Sequence, residues 1–252
     1  MTSSCSDYSA LCLSDVSVHY QGRPVLERAS LDLEGPALIA IVGPNGAGKS
    51  TLIKAALGLL PHTGRVTVLG RPIDAVRSRI GYIPQRGSVD WDFPVSVLDV
   101  ALMGTYGRLG WLRRPGRSEY DLAHDCLSRV GLQGLESRQI GQLSGGQQQR
   151  VFLARALAQQ ADLYFMDEPM AGVDAATEAM LFEVLEQLRD QGKTLLVVHH
   201  DLRSVPEHFD QVVVLNRRVV ATGPVRTTFT APTLQEAYGG RVVVFQEGLL
   251  TP

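Results

Sequence analysis

Three segments of this 252-residue chain are apolar almost without interruption: Ala37–Val42, Leu163–Met166 and Thr194–Val198. Short runs with no polar face suit strands covered on both sides, as in a parallel sheet beneath helices. Leu11–His19, Val25–Leu33, Arg65–Leu69, Arg79–Ile83, Gln211–Leu215 and Val219–Thr222 also predict strands. Between these runs the apolar positions recur every three or four residues. Leu52, Ile53, Ala56, Leu57 and Leu60 make one helical stripe, stopped by Pro61. Met180, Leu181, Val184, Leu185 and Leu188 make another, with Gly192 at the C′ position. Strands alternating with helices predict an α/β architecture.

The middle third breaks this alternation. Val97–Tyr106, Ser118–Val130 and Gly145–Gln160 read as successive helices, so a helical subdomain inserted into the α/β core is expected. Gly107–Gly116, rich in Gly and Arg, reads as a loop whose Arg108, Arg113 and Arg114, with Arg117 beyond it, are solvated. Beyond Val225 the pattern is short and irregular, ending in the strand-like Val242–Phe245.

Composition narrows the function classes. The chain is 44% hydrophobic and 20% charged, with formal charge −2, so it is globular and has no overall basic footprint for nucleic acid. Cys5, Cys12 and Cys126 form no paired spacing, which predicts neither a disulfide framework nor a zinc knuckle. The longest aliphatic run, Ala37–Val42, is far shorter than the ~18 residues of a membrane span. Met1–Ala10 is polar, so no secretory leader is expected.

The chemistry begins directly after the first buried strand. Gly43, Pro44, Asn45, Gly46, Ala47, Gly48, Lys49 and Ser50, followed by Thr51, satisfy G-x-x-x-x-G-K-[ST] between a strand and a helix. Backbone N–H groups of such a loop turn inward around phosphate oxygens, and the helix adds its N-terminal dipole. Lys49 would then reach the β/γ-phosphates and Ser50 would ligate Mg²⁺. A second carboxylate is needed on a neighbouring strand, and Asp167 and Glu168 follow Leu163–Met166. Asp167 suits the magnesium role and Glu168 the base that polarises water. Ser144, Gly145, Gly146 and Gln147 open a further helix; Ser144 and Gln147 form a capping-box pattern, and the two glycines allow an anion close to the first turn.

With these motifs in this order, the chain resembles the ATP-binding subunits of ABC transporters over roughly residues 11–225. The resemblance implies a P-loop NTPase (RecA-like) core with an N-terminal antiparallel β subdomain and the helical insert. Residues 1–252 would form a single ATP-binding domain: 11–84 the β subdomain and first half of the core, 85–160 the helical subdomain, 161–225 the second half, and 226–252 a tail. It implies ATP and Mg²⁺ as ligands, Tyr20 stacking on adenine and Gln85 as the Q-loop glutamine contacting magnesium. Asp174 occupies the D-loop position, in Ala-Gly-Val-Asp where the family commonly has Ser-Ala-Leu-Asp. His200, before Asp201, matches the switch histidine, with His199 as its neighbour.

The family's signature loop faces the phosphate loop of a second copy, so a homodimer sandwiching two nucleotides is implied. The stretch Gln85–Val100 and the Gly107–Arg114 loop resemble bacterial manganese, iron and zinc importers, the manganese branch most. That implies integral-membrane permease subunits, indirectly a metal-binding extracytoplasmic protein, no nucleic acid, and a peripheral position on the cytoplasmic side of the inner membrane. Trp91 and Phe93 are candidate anchors for the permease, or else pack within the helical insert. A zinc or iron importer ATPase, a soluble ATPase of the iron–sulfur scaffold type, and a nucleotide-gated module without turnover are the other readings.

Overall fold

The computed structural model describes residues 9–85, 93–110 and 113–239. In chain order, its strands are β1 (Ser9–Tyr20), β2 (Arg23–Glu34), β3 (Leu38–Val42), β4 (Thr63–Val68), β5 (Ile80–Ile83), β6 (Leu163–Asp167), β7 (Thr194–Val198), β8 (Gln211–Asn216) and β9 (Arg218–Pro224). The helices are α1 (Lys49–Ala56), α2 (Ile73–Val76), α3 (Val97–Met103), α4 (Tyr106–Leu109), α5 (Arg117–Arg129), α6 (Gly145–Ala158), α7 (Ala175–Asp190), α8 (Val205–His208), α9 (Val225–Thr228) and α10 (Ala231–Tyr238). Each described strand expectation has its counterpart, displaced by a residue or two at the ends. Val242–Phe245 lies outside the described residues.

The chain divides into two compact units. One runs to Val76 and resumes at Leu196; the other is Arg77–Leu195.

In the first unit β1 pairs antiparallel with both β2 and β4. The β1–β2 register slips between Leu13 and Val16, where Asp15 adopts a left-handed φ of 54°. This irregularity resets the two-residue alternation, so Leu13 and Val16 are both buried although three apart. β3 is buried along its whole length and pairs in parallel with β8, which pairs antiparallel with β9. α1 lies against β1, β2 and β4, and α10 against β8 and β9. A Schellman close ends α1 at Ala56, with Leu59 N–H donating to Lys54 O (2.8 Å) and Gly58 N–H to Ala55 O (3.0 Å). The helix therefore stops short of Pro61, and Leu59 faces solvent.

In the second unit β5 and β6 are parallel, and α3, α5 and α6 pack together. α3 ends at Met103, not Tyr106. A Cβ on Gly104 would stand 2.1 Å from the Arg155 carbonyl oxygen, so only glycine lets the chain pass α6 this closely. The expected Gly107–Gly116 loop is partly helical, because α4 occupies its start. Arg108 is not merely solvated: it donates to the Gln160 side chain and to Ala158 O (3.2 Å). Arg113, Arg114 and Arg117 are exposed as expected. Asp162 gathers the starts of three strands. It accepts from Lys193 Nζ (2.9 Å) and Arg79 Nε (2.7 Å), which hold its carboxyl below the usual range, while its N–H and C=O bond Arg79 O and Thr194 N.

The cysteine expectation needs one correction. Cys12 is disulfide-bonded, while Cys126, on the buried face of α5, is a free thiol pushed up to about 12 by desolvation.

Candidate functional site

The phosphate loop leaves β3 under tight constraint. A Cβ on Gly43 would lie 2.0 Å from the Leu215 carbonyl oxygen of β8, so no other residue fits where strand becomes loop. The loop closes on itself through Ala47 N–H to Pro44 O (3.1 Å) and is fastened to the β8–β9 turn by Arg217 N–H to Ala47 O (2.8 Å). Gly48 stands at the N-cap of α1 with φ 95° and contributes no capping side chain. Lys49 is only 6% exposed, and its ammonium donates inward to Gly43 O (2.8 Å) and Pro44 O (3.1 Å). A buried cation, a loop of small residues and the start of an eight-residue helix fit a polyphosphate. Asn45, Gly46 and Ser50 complete the loop, and Thr51 is buried in the first turn of α1.

In the other unit, β6 carries the acids out of the core. Asp167 is 0% exposed at its last position. Its charge is felt at Tyr82, whose hydroxyl is pushed up to about 12, first by burial and second by Asp167. Glu168 follows with a left-handed φ of 58°, a conformation costing on the order of 1–3 kcal/mol in a non-glycine residue. The strained backbone turns the chain sharply off β6. Gln85 Nε2, just beyond β5, donates to Glu168 Oε2 (3.0 Å). Gln85 and Glu168 are thus neighbours, a pairing that 83 residues of separation conceal. Within this unit Asp167 and Gln85 offer hard oxygen donors, of the kind that magnesium prefers, as the Ser50 hydroxyl does in the first unit.

Ser144 caps α6 as its spacing predicts. Gln147 N–H donates to Ser144 Oγ (3.3 Å), and Ser144 N–H donates to Gln147 Oε1 (2.9 Å). Both side chains serve the cap, leaving Gly145 and Gly146 as the bare first turn. A Cβ on Gly146 would meet Val173 at 3.4 Å, so the D-loop backbone lies beside the signature. Asp174 caps α7, accepting from Thr177 N (2.9 Å) and Thr177 Oγ1 (3.0 Å). Its carboxylate has a local structural duty that the sequence reading left out.

The two adjacent histidines separate cleanly. His199 is buried, stacks at a tilt on Phe209 (5.4 Å), and its Nε2 lies 2.6 Å from Ser204 Oγ. The Ser204 hydroxyl proton goes to Asp201 O (3.0 Å), so His199 Nε2–H is the donor in that contact. His200 is exposed, as a residue meeting a ligand must be. Desolvation lowers His199 to about 4. Its folded pKa lies below the unfolded ~6.5, so on acidification the unfolded chain takes up the proton first and stability falls. Lowering the pH from 7.5 to 5 should cost about 2 kcal/mol through this group. Urea unfolding of the native chain and of His199→Gln should show that difference; equal pH slopes would count against it.

Tyr20 ends β1 beside the two-residue turn to β2 and is exposed, as a stacking platform requires. Phe93 is 60% exposed and does not pack inside the helical insert; Trp91 lies outside the described residues. Sequence reasoning missed Arg155 and Gln159 of α6. Arg155, over the Phe152 ring at 4.4 Å, donates to Tyr82 O (3.3 Å), and Gln159 donates to Ile80 O. Both fasten the signature helix to β5, the strand that delivers Gln85. Only the Arg155–Phe152 spacing hints at this in the sequence. Among the described residues no cluster of three or more His, Cys, Asp or Glu could hold a metal ion, and no helix is long and apolar enough to cross a membrane.

Comparison with known proteins bears on this arrangement. The manganese transport system ATP-binding protein MntB of Bacillus subtilis is 54% identical over 94% of this chain and 96% of its own. The zinc transport system ATP-binding protein TroB of Treponema pallidum is 55% identical over 92% of this chain and 88% of its own. Among solved structures, a metal-chelate type ABC transporter in an inward-facing conformation matches with TM-score 0.77 and 28% identity, over 91% of this chain and 88% of that one. A nucleotide-free ATP-binding cassette from an ABC transporter also matches with TM-score 0.77, at 25% identity over 91% and 98%. The ABC transporter family profile covers residues 26–171, from β2 through the phosphate loop, signature and acid pair. The chain therefore belongs to the ABC transporter family, as an ATP-binding and ATP-hydrolysing subunit.

Proposed function

We propose that this subunit powers an importer of divalent transition-metal ions, manganese foremost. The observation that carries the metal is the near end-to-end likeness to MntB, which is named for manganese transport. TroB, named for zinc, is equally similar, and YfeB of Yersinia pestis, named for chelated iron, is 47% identical over 91% of this chain. Manganese is preferred for the Gln85–Val100 stretch and the Gly107–Arg114 loop, which resemble that branch. Zinc or iron is the second reading.

In the proposed cycle Tyr20 stacks on adenine, the amides of Gly43–Thr51 and the Lys49 ammonium hold the phosphates, and Ser50, Asp167 and Gln85 serve Mg²⁺. Magnesium held by these oxygens would neutralise charge developing on the phosphates. Glu168 takes a proton from the attacking water, and His200 donates to the γ-phosphate oxygen. Ser144, Gly145, Gly146 and Gln147 of a second copy close over the same phosphate, with Asp174 beside them. Loss of that bridging charge lets the two copies part. The exposed Phe93 supports docking to a permease, which would hold the subunit peripherally at the cytoplasmic face of the inner membrane. A metal-binding extracytoplasmic protein would supply the cargo, and the chain needs no nucleic acid partner.

Reconstituting the subunit with its permease in vesicles and adding Mn²⁺-, Zn²⁺- or Fe²⁺-loaded binding protein tests this. Stimulation of ATP hydrolysis should be largest with Mn²⁺. Stimulation by Zn²⁺ alone would reassign the cargo, and a subunit that never co-purifies with a hydrophobic partner in detergent would favour the scaffold-type ATPase.

A further inference from the structure

The hairpin that carries Tyr20 holds a second exposed side chain with no part in the cycle above. Tyr20 pairs directly with Arg23 across a two-residue turn, Gln21 and Gly22, whose φ angles of 48° and 77° are both left-handed. Residues opposite one another in a ladder stand on the same face, with Cβ atoms about 5 Å apart. Arg23 therefore rises beside the tyrosine, and it is exposed. Its guanidinium makes no ion pair or hydrogen bond among the described residues. Other arginines of this unit differ: Arg28 is committed to Asp15 (2.7 Å) and Arg218 to Glu236 (3.2 Å).

The same hairpin is seated against the phosphate loop. Val18 pairs with Leu26 but His19 with Pro24, which leaves Val25 as a bulge. A Cβ on Gly48 would stand 2.9 Å from Val25 O and 3.6 Å from Leu26 Cδ1, so the bulged carbonyl lies close against the loop. Further along β2, Glu27 N–H donates to Arg217 O (2.7 Å), and Arg217 N–H donates to Ala47 O (2.8 Å). Ala47 and Gly48 are thus both held to β2 through residues a few positions from Arg23.

We infer that Arg23 is a further nucleotide-binding residue, its guanidinium pairing with the α-phosphate. The physical reason is the charge left unmatched. Tyr20 takes the adenine face and Lys49 reaches the β- and γ-phosphates. Ribose and the α-phosphate then bridge from the hairpin to the loop, and that phosphate has no cation of its own. Arginine presents several N–H donors on a rigid positive fork, which matches phosphate oxygens. The register of the hairpin sets that fork next to the adenine platform, and the Val25 bulge fixes its distance from the loop. The inference rests on the assignment of ATP to this loop and of adenine to Tyr20.

The test is isothermal calorimetry of MgATP and of MgADP on the full chain, with thermal unfolding measured in parallel. Arg23→Gln removes the charge from an exposed position. It should raise the Kd of both nucleotides by the same factor, about 3- to 10-fold at low salt, with Tm within about 2 °C of the native chain. Arg23→Lys keeps the charge without the fork and should recover part of the loss. Added salt should shrink the gap between native and Arg23→Gln, as screening of an exposed pair requires. An unchanged Kd in Arg23→Gln overturns the inference, and a loss confined to ATP overturns the α-phosphate as its target. A fall in Tm that accounts for the lost binding also overturns it. Weakened binding in Tyr20→Ala beside a native Kd in Arg23→Gln would keep the adenine assignment and sink the Arg23 contact alone. Failure of the native chain itself to bind MgATP would overturn the assignment of ATP to the loop, and the inference with it.

Discussion

Replacing Glu168 with Gln should slow ATP turnover by roughly 10²- to 10⁴-fold, the range a general base contributes, while ATP stays bound. The substitution is close to isosteric, so the left-handed φ of 58° and the turn off β6 are retained. What is lost is an acceptor for the water's proton. The amide can still accept from Gln85 Nε2, the contact now made at 3.0 Å. Gln85 therefore remains where it is, and the defect is confined to chemistry. With ATP bound and hydrolysis blocked, the two copies should stay associated, visible as an ATP-dependent dimer by size-exclusion chromatography. Turnover equal to the native chain would remove Glu168 from the base role, and loss of ATP binding would make it a structural residue.

Replacing Ser144 with Arg should abolish hydrolysis and leave ATP binding by the isolated monomer intact. Ser144 is exposed at the start of α6, and the proposed dimer places it on the phosphate held by the other copy. A bulky side chain there blocks closure without touching the subunit's own Lys49. Arginine also removes the cap on Gln147 N–H, worth about 1 kcal/mol. Ser144→Asp separates the two effects. It keeps a capping acceptor but sets a negative charge against the γ-phosphate, so turnover should still be lost while Tm holds. Impaired mant-ATP binding by either monomer would contradict a site shared between copies.

Much of this protein could be read from residue order alone. The apolar runs locate β3, β6 and β7 because a strand buried on both faces excludes polar residues except at its ends, and helices between strands show a stripe. The phosphate loop and the Ser144–Gln147 cap are equally local. Their chemistry arises from residues within eight positions of one another, so a linear pattern carries it.

Other features depend on contacts that no linear pattern encodes. Gln85 meets Glu168, and Arg155 reaches Tyr82 O, because β5 and β6 lie side by side in parallel. His199 and His200 are chemically identical in the sequence; burial against Phe209 makes one a neutral core donor and leaves the other exposed. Asp174 caps α7, an outcome hidden behind its motif. Asn216 donates to Ala237 O because α10 folds back on β8 and β9. The chain's order thus determines which groups can do phosphate chemistry. Packing decides which of them are desolvated, strained or held in place, because those properties depend on the neighbours that folding brings together.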